Sequence, residues 1–487
     1  NIIDLCPVGA LTSKPYEFVA RPWELKKTNS IDVFDAVGSN IRIDSKGDKI
    51  MRVLPIINDE INEEWISDKT RFAYDGINFQ RIDKYYIRND NKKLEEDSEE
   101  NVLSILKEKF KNVNSNKIAS IVGNSLDCES IFSFKLLLDE IKAFNYDCRQ
   151  DNSFFIPNQR FSYTFNSTIA GIDDSDSCFL IGTDIKKEAP ILNSRIRQRY
   201  LIDQKNYPIM RIGYKYHTNF RVFDVGESPK YLLNFIKGKG KVFLKKTKKP
   251  IFIIGQGALC RPDGEQIFNF VKNLYDKNYK DQDWNGFNVL QTFSGRVGAL
   301  DLNFFNERNI GKSDLIQQIY NGRFEIVYLF SADEIDVTKI PKKTFVIYHG
   351  HHGDKAVIRA DLVIPTSCFT EKEGTYVNLE GRPQISSQVK LPLPNVMHSW
   401  DFFLKLAKSM QIDLGYNNFN ELRKMMYKRH EHLSKINKVL KSKDYDVKEI
   451  SKKFISEEIK SNIENFYMTD SVSRHSPTMA SCSINFK

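Results

Sequence analysis

Six short apolar runs, each closing on glycine or a small polar residue, constrain this chain more than any other feature of its sequence. They are KIASIVGN (117–124), CFLIGTD (178–184), IFIIGQG (251–257), EIVYLFSAD (325–333), TFVIYHG (344–350) and DLVIP (361–365). Strands buried on both faces read as continuous apolar runs, whereas half-exposed strands alternate apolar and polar residues. The segments between them, such as SLDCESIFSFKLLLDEIKAF (125–144), place apolar residues at helical spacing. Alternating β and α elements of this kind predict parallel sheets covered by helices, arranged as two doubly wound α/β lobes. Two stretches break the pattern. SNIRIDSKGDKIMRVLP (39–55) reads as a β-hairpin with its tip at Lys46-Gly47-Asp48. In NELRKMMYKRHEHLSKINKVLKSK (420–443), Leu422, Met425, Met426, Leu433, Ile436 and Leu440 form one stripe at helical spacing, a packing face in a helical C-terminal segment.

With 487 residues the chain calls for more than one structural unit. Its longest apolar runs are five or six residues, too short for a transmembrane helix. It opens on neither a signal peptide nor an arginine-rich leader. Residues 1–25 are punctuated by Pro7, Pro15 and Pro22 and read as irregular. Cysteines stand singly at 6, 128, 148, 178, 260, 368 and 482, with no CxxC pair, which argues for a reducing compartment over a disulfide framework. Cys128, Cys148, Cys178 and Cys260 lie in or beside apolar stretches and read as core thiols. The net charge of +9 is spread over dispersed lysines, and the densest patch, KGKGKVFLKKTKKP (237–250), reads as a solvated connector rather than a nucleic-acid contact.

Few local motifs carry chemistry. GQGALC (255–260) has two glycines of a dinucleotide fingerprint, but Cys260 stands where the third should be and no ribose-binding acid follows. His349, His351 and His352 in HGHHGD (349–354) could ligate zinc. Neighbouring histidines on an extended segment diverge, however, so the run reads as a polar loop at a strand's end. Cys368, in IPTSCFTEKEGTYVN, has Glu and Lys but no His close in sequence to activate it. Cys6 in NIIDLCPVGA is different. Cys-Pro is how the last thiolate of a [4Fe–4S] run commonly ends, and a chain beginning at Asn1 in mid-motif is expected to be part of a processed or divided protein.

NIIDLCPVGALTSKPYEFVARPWELKKT (1–28), INEEWISDKTRFAYDG (61–76), ADLVIPTSCFTEKEGTYVNLEGRPQ (360–384) and NFYMTDSVSRHSPTMASCS (465–483) together resemble the large iron–sulfur (75-kDa type) subunit of respiratory complex I, NADH:ubiquinone oxidoreductase. That family belongs to the molybdopterin oxidoreductase superfamily, and the likeness runs along essentially the whole chain. It implies four units: the end of an iron–sulfur domain (1–24), a small β domain of the 4Fe-4S Mo/W type (25–85), an α/β domain (86–395) and the C-terminal segment (396–487).

The resemblance implies that Cys6 ligates a [4Fe–4S] cluster whose other three thiolates lie on a partner chain, the N-terminal iron–sulfur half of the same subunit. It implies further that Asp32, Asp35, Ser39 and Ser67 stand where relatives carry the four cysteines of an additional cluster. Carboxylates and hydroxyls do not replace thiolates on iron–sulfur centres, so that cluster is expected to be lost. Thr370, Glu371, Asn378 and Arg382 match the segment that lines the pterin dinucleotide in catalytic relatives. No cysteine stands in a molybdenum-ligand context, and no molybdopterin is expected. The implied role is a scaffold without an active site of its own, in the peripheral arm on the matrix side of the mitochondrial inner membrane. Its neighbours there would be flavoprotein (51-kDa and 24-kDa type) and quinone-site (49-kDa type) subunits. The alternative is a molybdenum- or tungsten-dependent oxidoreductase of the formate dehydrogenase kind.

Overall fold

In the computed structural model, residues 2–280, 283–306, 314–443, 447 and 453–486 are described. Strands β1 (Lys26–Ile31), β2 (Asn40–Lys46) and β3 (Lys49–Pro55) form an antiparallel sheet. The β2–β3 turn has Gly47 at φ +57°, as the hairpin at 39–55 requires. A hairpin of β4 (Tyr85–Arg88) and β5 (Leu94–Asp97) follows, then β6 (Ile118–Val122) and β7 (Asn145–Asp147). The chain next builds a separate sheet from β8 (Ser177–Ile181), β9 (Ile209–Ile212), β10 (Phe223–Gly226), β11 (Pro250–Ile254) and β12 (Phe287–Val289). It returns with β13 (Ile326–Phe330), β14 (Phe345–Gly350) and β15 (Leu362–Pro365), and ends its strands with the antiparallel pair β16 (Gly374–Val377) and β17 (Pro383–Ser386).

The five-stranded sheet, ordered β10-β9-β8-β11-β12, is wholly parallel. The seven-stranded sheet runs β5-β4-β15-β14-β13-β6-β7, with the β4–β5 hairpin antiparallel at one edge. All six apolar runs are strands in the parallel part of these two sheets. Their side chains divide between opposite faces. Tyr328 and Phe330 enter one core and Val327 and Leu329 the other, while Phe252 and Ile254 oppose Ile251 and Ile253. Burial on both faces selects continuous apolar sequence over alternation. Strand order reverses at β6/β13 and at β8/β11, the two positions where an open α/β sheet leaves a crevice at its carboxyl ends.

The helical stripe predicted at 420–443 ends early. A helix spans Phe419–Arg429 and a single 3-10 turn Glu431–Ser434, and residues 435–443 are irregular. Leu422, Met426 and Leu433 are buried, but Leu440 is exposed. Residues 453–465 instead form an extended strap over the second lobe. Ile459 N donates to Glu227 O and Arg261 to Glu458 O, with Phe454 and Ile459 seated in the lobe's core. After the strap, helices Ser471–Arg474 and Pro477–Phe486 pack on the small β domain. The lysine-rich stretch forms a helix, Lys239–Lys246, with Phe243 buried and Lys241, Lys245 and Lys246 exposed.

Candidate functional site

Cys6 lies at the end of a short helical turn, Ile2–Leu5. Backbone groups of Val8, then Leu11 and Ala10, hold its thiol below the ordinary range. Burial drives the other six the opposite way: Cys178 well up, Cys148 to about 12, Cys368 to about 11, and Cys128, Cys260 and Cys482 also upward. Cys6 alone is biased toward the thiolate, the form that ligates iron. The segment it belongs to exposes large apolar side chains: Phe18 is 98% exposed, Trp23 79%, Ile2 74% and Val8 65%. Arg71, on the helix Asp68–Phe72 of the small β domain, pairs with Asp4 and anchors this segment.

Asp32, Asp35, Ser39 and Ser67 converge in the small β domain. The first three lie on the eight-residue loop joining β1 to β2, which closes through Asp32 N to Ser39 O at 2.8 Å. Ser67 caps the helix Asp68–Phe72, accepting from Thr70 N. Thr70 Oγ1 then donates to Asp32 Oδ2 at 2.7 Å, tying loop to helix. All four residues are buried. Residues 25–75 contain no cysteine, so this donor set is entirely oxygen. A [4Fe–4S] cluster does not fit it.

The segment matched to the pterin binder is equally buried, and its polar atoms bind the protein. Arg81 clamps Glu371 in a bidentate pair, 2.7 Å on each arm, with Lys390 at 3.4 Å. Burial alone would raise the Glu371 carboxyl, but the Arg81 guanidinium reverses the effect and holds it low. Asn378 Oδ1 accepts from Glu380 N and Arg382 N, while its Nδ2 donates to Val37 O. Arg382 pairs with Glu380 and Glu60, 2.6 Å each, and donates to Asn437 O at 2.9 Å. Only Thr370 Oγ1 lacks a partner among these groups. The segment welds the β1–β2 loop to the lobes, and its side chains do not fit a pterin dinucleotide.

At the second crevice, a Cβ on Gly257 would lie 2.5 Å from Lys460 O of the strap, so the GQG turn serves close packing. HGHHGD begins inside the strand and leaves it after Gly350. His349 belongs to β14, 2.9 Å from Tyr328 Oη. His351 and His352 do not diverge, their Nδ1 atoms being 2.5 Å apart. Burial lowers His349 and His352 to about 3. Among the described residues, no group of three or more His, Cys, Asp or Glu could hold a metal ion. Sequence reasoning missed Arg81, Lys372 and Asp127, the last two a buried ion pair at the first crevice. Their partners are remote in sequence, so no local pattern marks them.

Comparison with known proteins places this geometry. The molybdopterin oxidoreductase family matches residues 81–409. The NADH-ubiquinone oxidoreductase NDSU1/NuoG-like 4Fe-4S domain matches 25–75, and the C-terminal domain of the G-type subunit of NADH-ubiquinone oxidoreductase matches 436–482. The G-type subunit of NADH-quinone oxidoreductase from Rickettsia felis is 41% identical over 485 residues, covering 99% of this chain and 70% of that protein. The NADH-ubiquinone oxidoreductase 75 kDa subunit of Reclinomonas americana is 40% identical, covering 100% and 72%. The mitochondrial 78 kDa subunit of Candida albicans is also 40% identical, covering 100% and 68%. Among solved structures, a formyltransferase/hydrolase complex from Methylorubrum extorquens shares 11% identity at a TM-score of 0.47, covering 67% of this chain and 98% of that one, too distant to argue from. On identity, coverage and the order of its domains, the chain belongs to the family of G-type NADH-quinone oxidoreductase subunits, the 75–78 kDa subunits of complex I.

Proposed function

We propose that the chain works as a scaffold in the peripheral arm of NADH:ubiquinone oxidoreductase and supplies one thiolate, Cys6, to a [4Fe–4S] cluster between NADH and ubiquinone. The observation that carries this reading is the setting of Cys6: a thiol biased toward thiolate by its own backbone, within a run of exposed Ile, Val, Phe and Trp side chains. So many large apolar groups in one short segment mark a surface that a partner covers. The partner is the N-terminal iron–sulfur half of the same subunit, which brings the other three thiolates. Flavoprotein (51-kDa and 24-kDa type) and quinone-site (49-kDa type) subunits complete the assembly.

When bound, the cluster would accept and pass on single electrons. This chain's part is to hold one ligand, exclude water and set the local field through the amides around Cys6. No helix among the described residues is long and apolar enough to cross a membrane. Attachment through the assembly, on the matrix face of the mitochondrial inner membrane, agrees with that. The pterin-like segment and the loop at 32–39 serve as structure, which disfavours the molybdenum-enzyme alternative. The test is Cys6→Ser in the purified assembly. One [4Fe–4S] electron paramagnetic resonance signal should vanish on NADH reduction while the flavin and the clusters on its NADH side still reduce. An unchanged set of signals overturns the assignment.

A further inference from the structure

The buried oxygen site of the small β domain has an unbalanced charge. Asp32 is 1% exposed and Asp35 2%. Asp32 Oδ1 accepts from Phe34 N at 3.0 Å and its Oδ2 from Thr70 Oγ1, which in turn contacts Ser67 Oγ at 2.8 Å. Asp35 Oδ1 accepts from Val37 N at 2.8 Å, but its Oδ2 has no partner, and neither does the buried hydroxyl of Ser39 on the same loop. The charged groups bearing on the two carboxyls are each other and Lys69, itself buried, with Nζ donating to Thr469 Oγ1 at 2.7 Å and lying 5.0 Å from the Phe466 ring. The other side chains packed around the loop include Ile66, Cys368, Phe369, Tyr376 and Val472. Two carboxylates against one ammonium leave one negative charge without compensation, and an unpaired buried carboxylate is neutralised rather than tolerated.

We infer that Asp32 and Asp35 form a proton-binding site, holding one proton between them at mildly acidic pH as a carboxylic acid beside a carboxylate. The proton reduces the charge of the site to that which Lys69 balances. Burial, followed by the neighbouring Asp35, pushes Asp32 up to about 7, and burial raises Asp35 as well. The site occupies the domain matched to a 4Fe-4S fold and replaces soft sulfur chemistry with acid–base chemistry. The inference is independent of whether Cys6 ligates a cluster.

The sign of the pH dependence follows. A free aspartate ionises near about 4, so between about pH 4 and about pH 7 the folded chain keeps a proton that the unfolded chain has lost. The pair's contribution to stability therefore falls across that window and is level above it. Two readouts on the full chain test this. Infrared difference spectra at about pH 5.5, wild type minus Asp35→Asn and wild type minus Asp32→Asn, should each show the loss of one protonated-carboxyl C=O per chain, shifting on ¹³C-aspartate labelling. Either substitution suffices because each leaves a single carboxylate opposite Lys69. The melting temperature of Asp35→Asn should rise relative to wild type from about pH 5 to about pH 7 and hold a constant gap above. If Asp35→Asn does not fold, Asp32→Asn carries the same two expectations. Absence of the acid band from the difference spectra, or a pH-independent gap, overturns the proposal. So does one equivalent of metal in the wild-type chain that both variants lack, because the neutralising charge would then be a cation.

Discussion

Replacing Arg81 by Met is the sharpest probe of whether the pterin-like segment is structural. Arg81 makes four hydrogen bonds: two of 2.7 Å to the Glu371 carboxylate, one of 3.0 Å to His351 O and one of 3.3 Å to Ile77 O. The pair is nearly dry, its side chains 6% and 0% exposed. Removing one partner of such a pair costs about 3–5 kcal/mol, because the other charge stays buried without it. Glu371 would keep Cys368 N at 2.8 Å and Lys390 at 3.4 Å, which places the expected loss near about 3 kcal/mol. Neutralising the stranded acid should recover much of it, so Arg81→Met/Glu371→Gln should be more stable than Arg81→Met alone, with a coupling of about 2 kcal/mol. Urea unfolding followed by tryptophan fluorescence measures each corner of the cycle. The wild-type Glu371 carboxyl is held low, so its contribution is present above about pH 4 and is lost as pH falls through its native value. In Arg81→Met the acid takes up a proton more readily, and the gap to wild type should narrow toward low pH. Additive single effects, or a loss under about 1 kcal/mol, would refute the reasoning.

Two further outcomes can be checked on the native chain. Iodoacetamide at neutral pH should label Cys6 first, with Cys178 and Cys368 protected until unfolding, as read by peptide mass spectrometry. Rapid labelling of Cys368 would contradict its burial. Gly182 has φ +60°, and a Cβ there would lie 2.5 Å from Ala258 Cβ. Gly182→Ala should therefore lower stability by about 1–3 kcal/mol by thermal melting, and an unchanged melting point would show that the β8 crest packs loosely.

Most of the sheet framework is legible in the sequence. Strands buried on both faces write themselves as unbroken apolar runs, so β6, β8, β11, β13, β14 and β15 can be read directly. The edge strands β7 and β12 cannot, because three residues leave no periodic signature, and in β9 Arg211 interrupts the apolar run. The helix at 419–429 is shorter than its stripe suggests. The apolar residues do recur at helical spacing, but beyond Leu433 the chain is held by contacts from afar, such as Asn437 N to Pro383 O at 2.8 Å. For the site, residue type carries the argument where position does not. Aspartate and serine at 32, 35, 39 and 67 exclude a cluster on chemical grounds alone. Their excess charge becomes visible only once Thr70 and Lys69, from a helix, are set against the loop.

The last helices also bear on how the protein is made. Val472 and Met479 belong to the apolar core of the small β domain, and Asp75 is held by Ser476 and Thr478. Lys69 and Thr469 are joined across 400 residues. At synthesis rates of about 5–20 residues per second, that separation is roughly 20–80 seconds on the ribosome. Throughout that interval the small β domain waits for residues 469–479 to close its core. Meanwhile the two lobes between them can fold as they appear. A ribosome that stalls before residue 469 would thus release lobes already formed and a β domain still open, a state in which chaperones and proteases find the small β domain first.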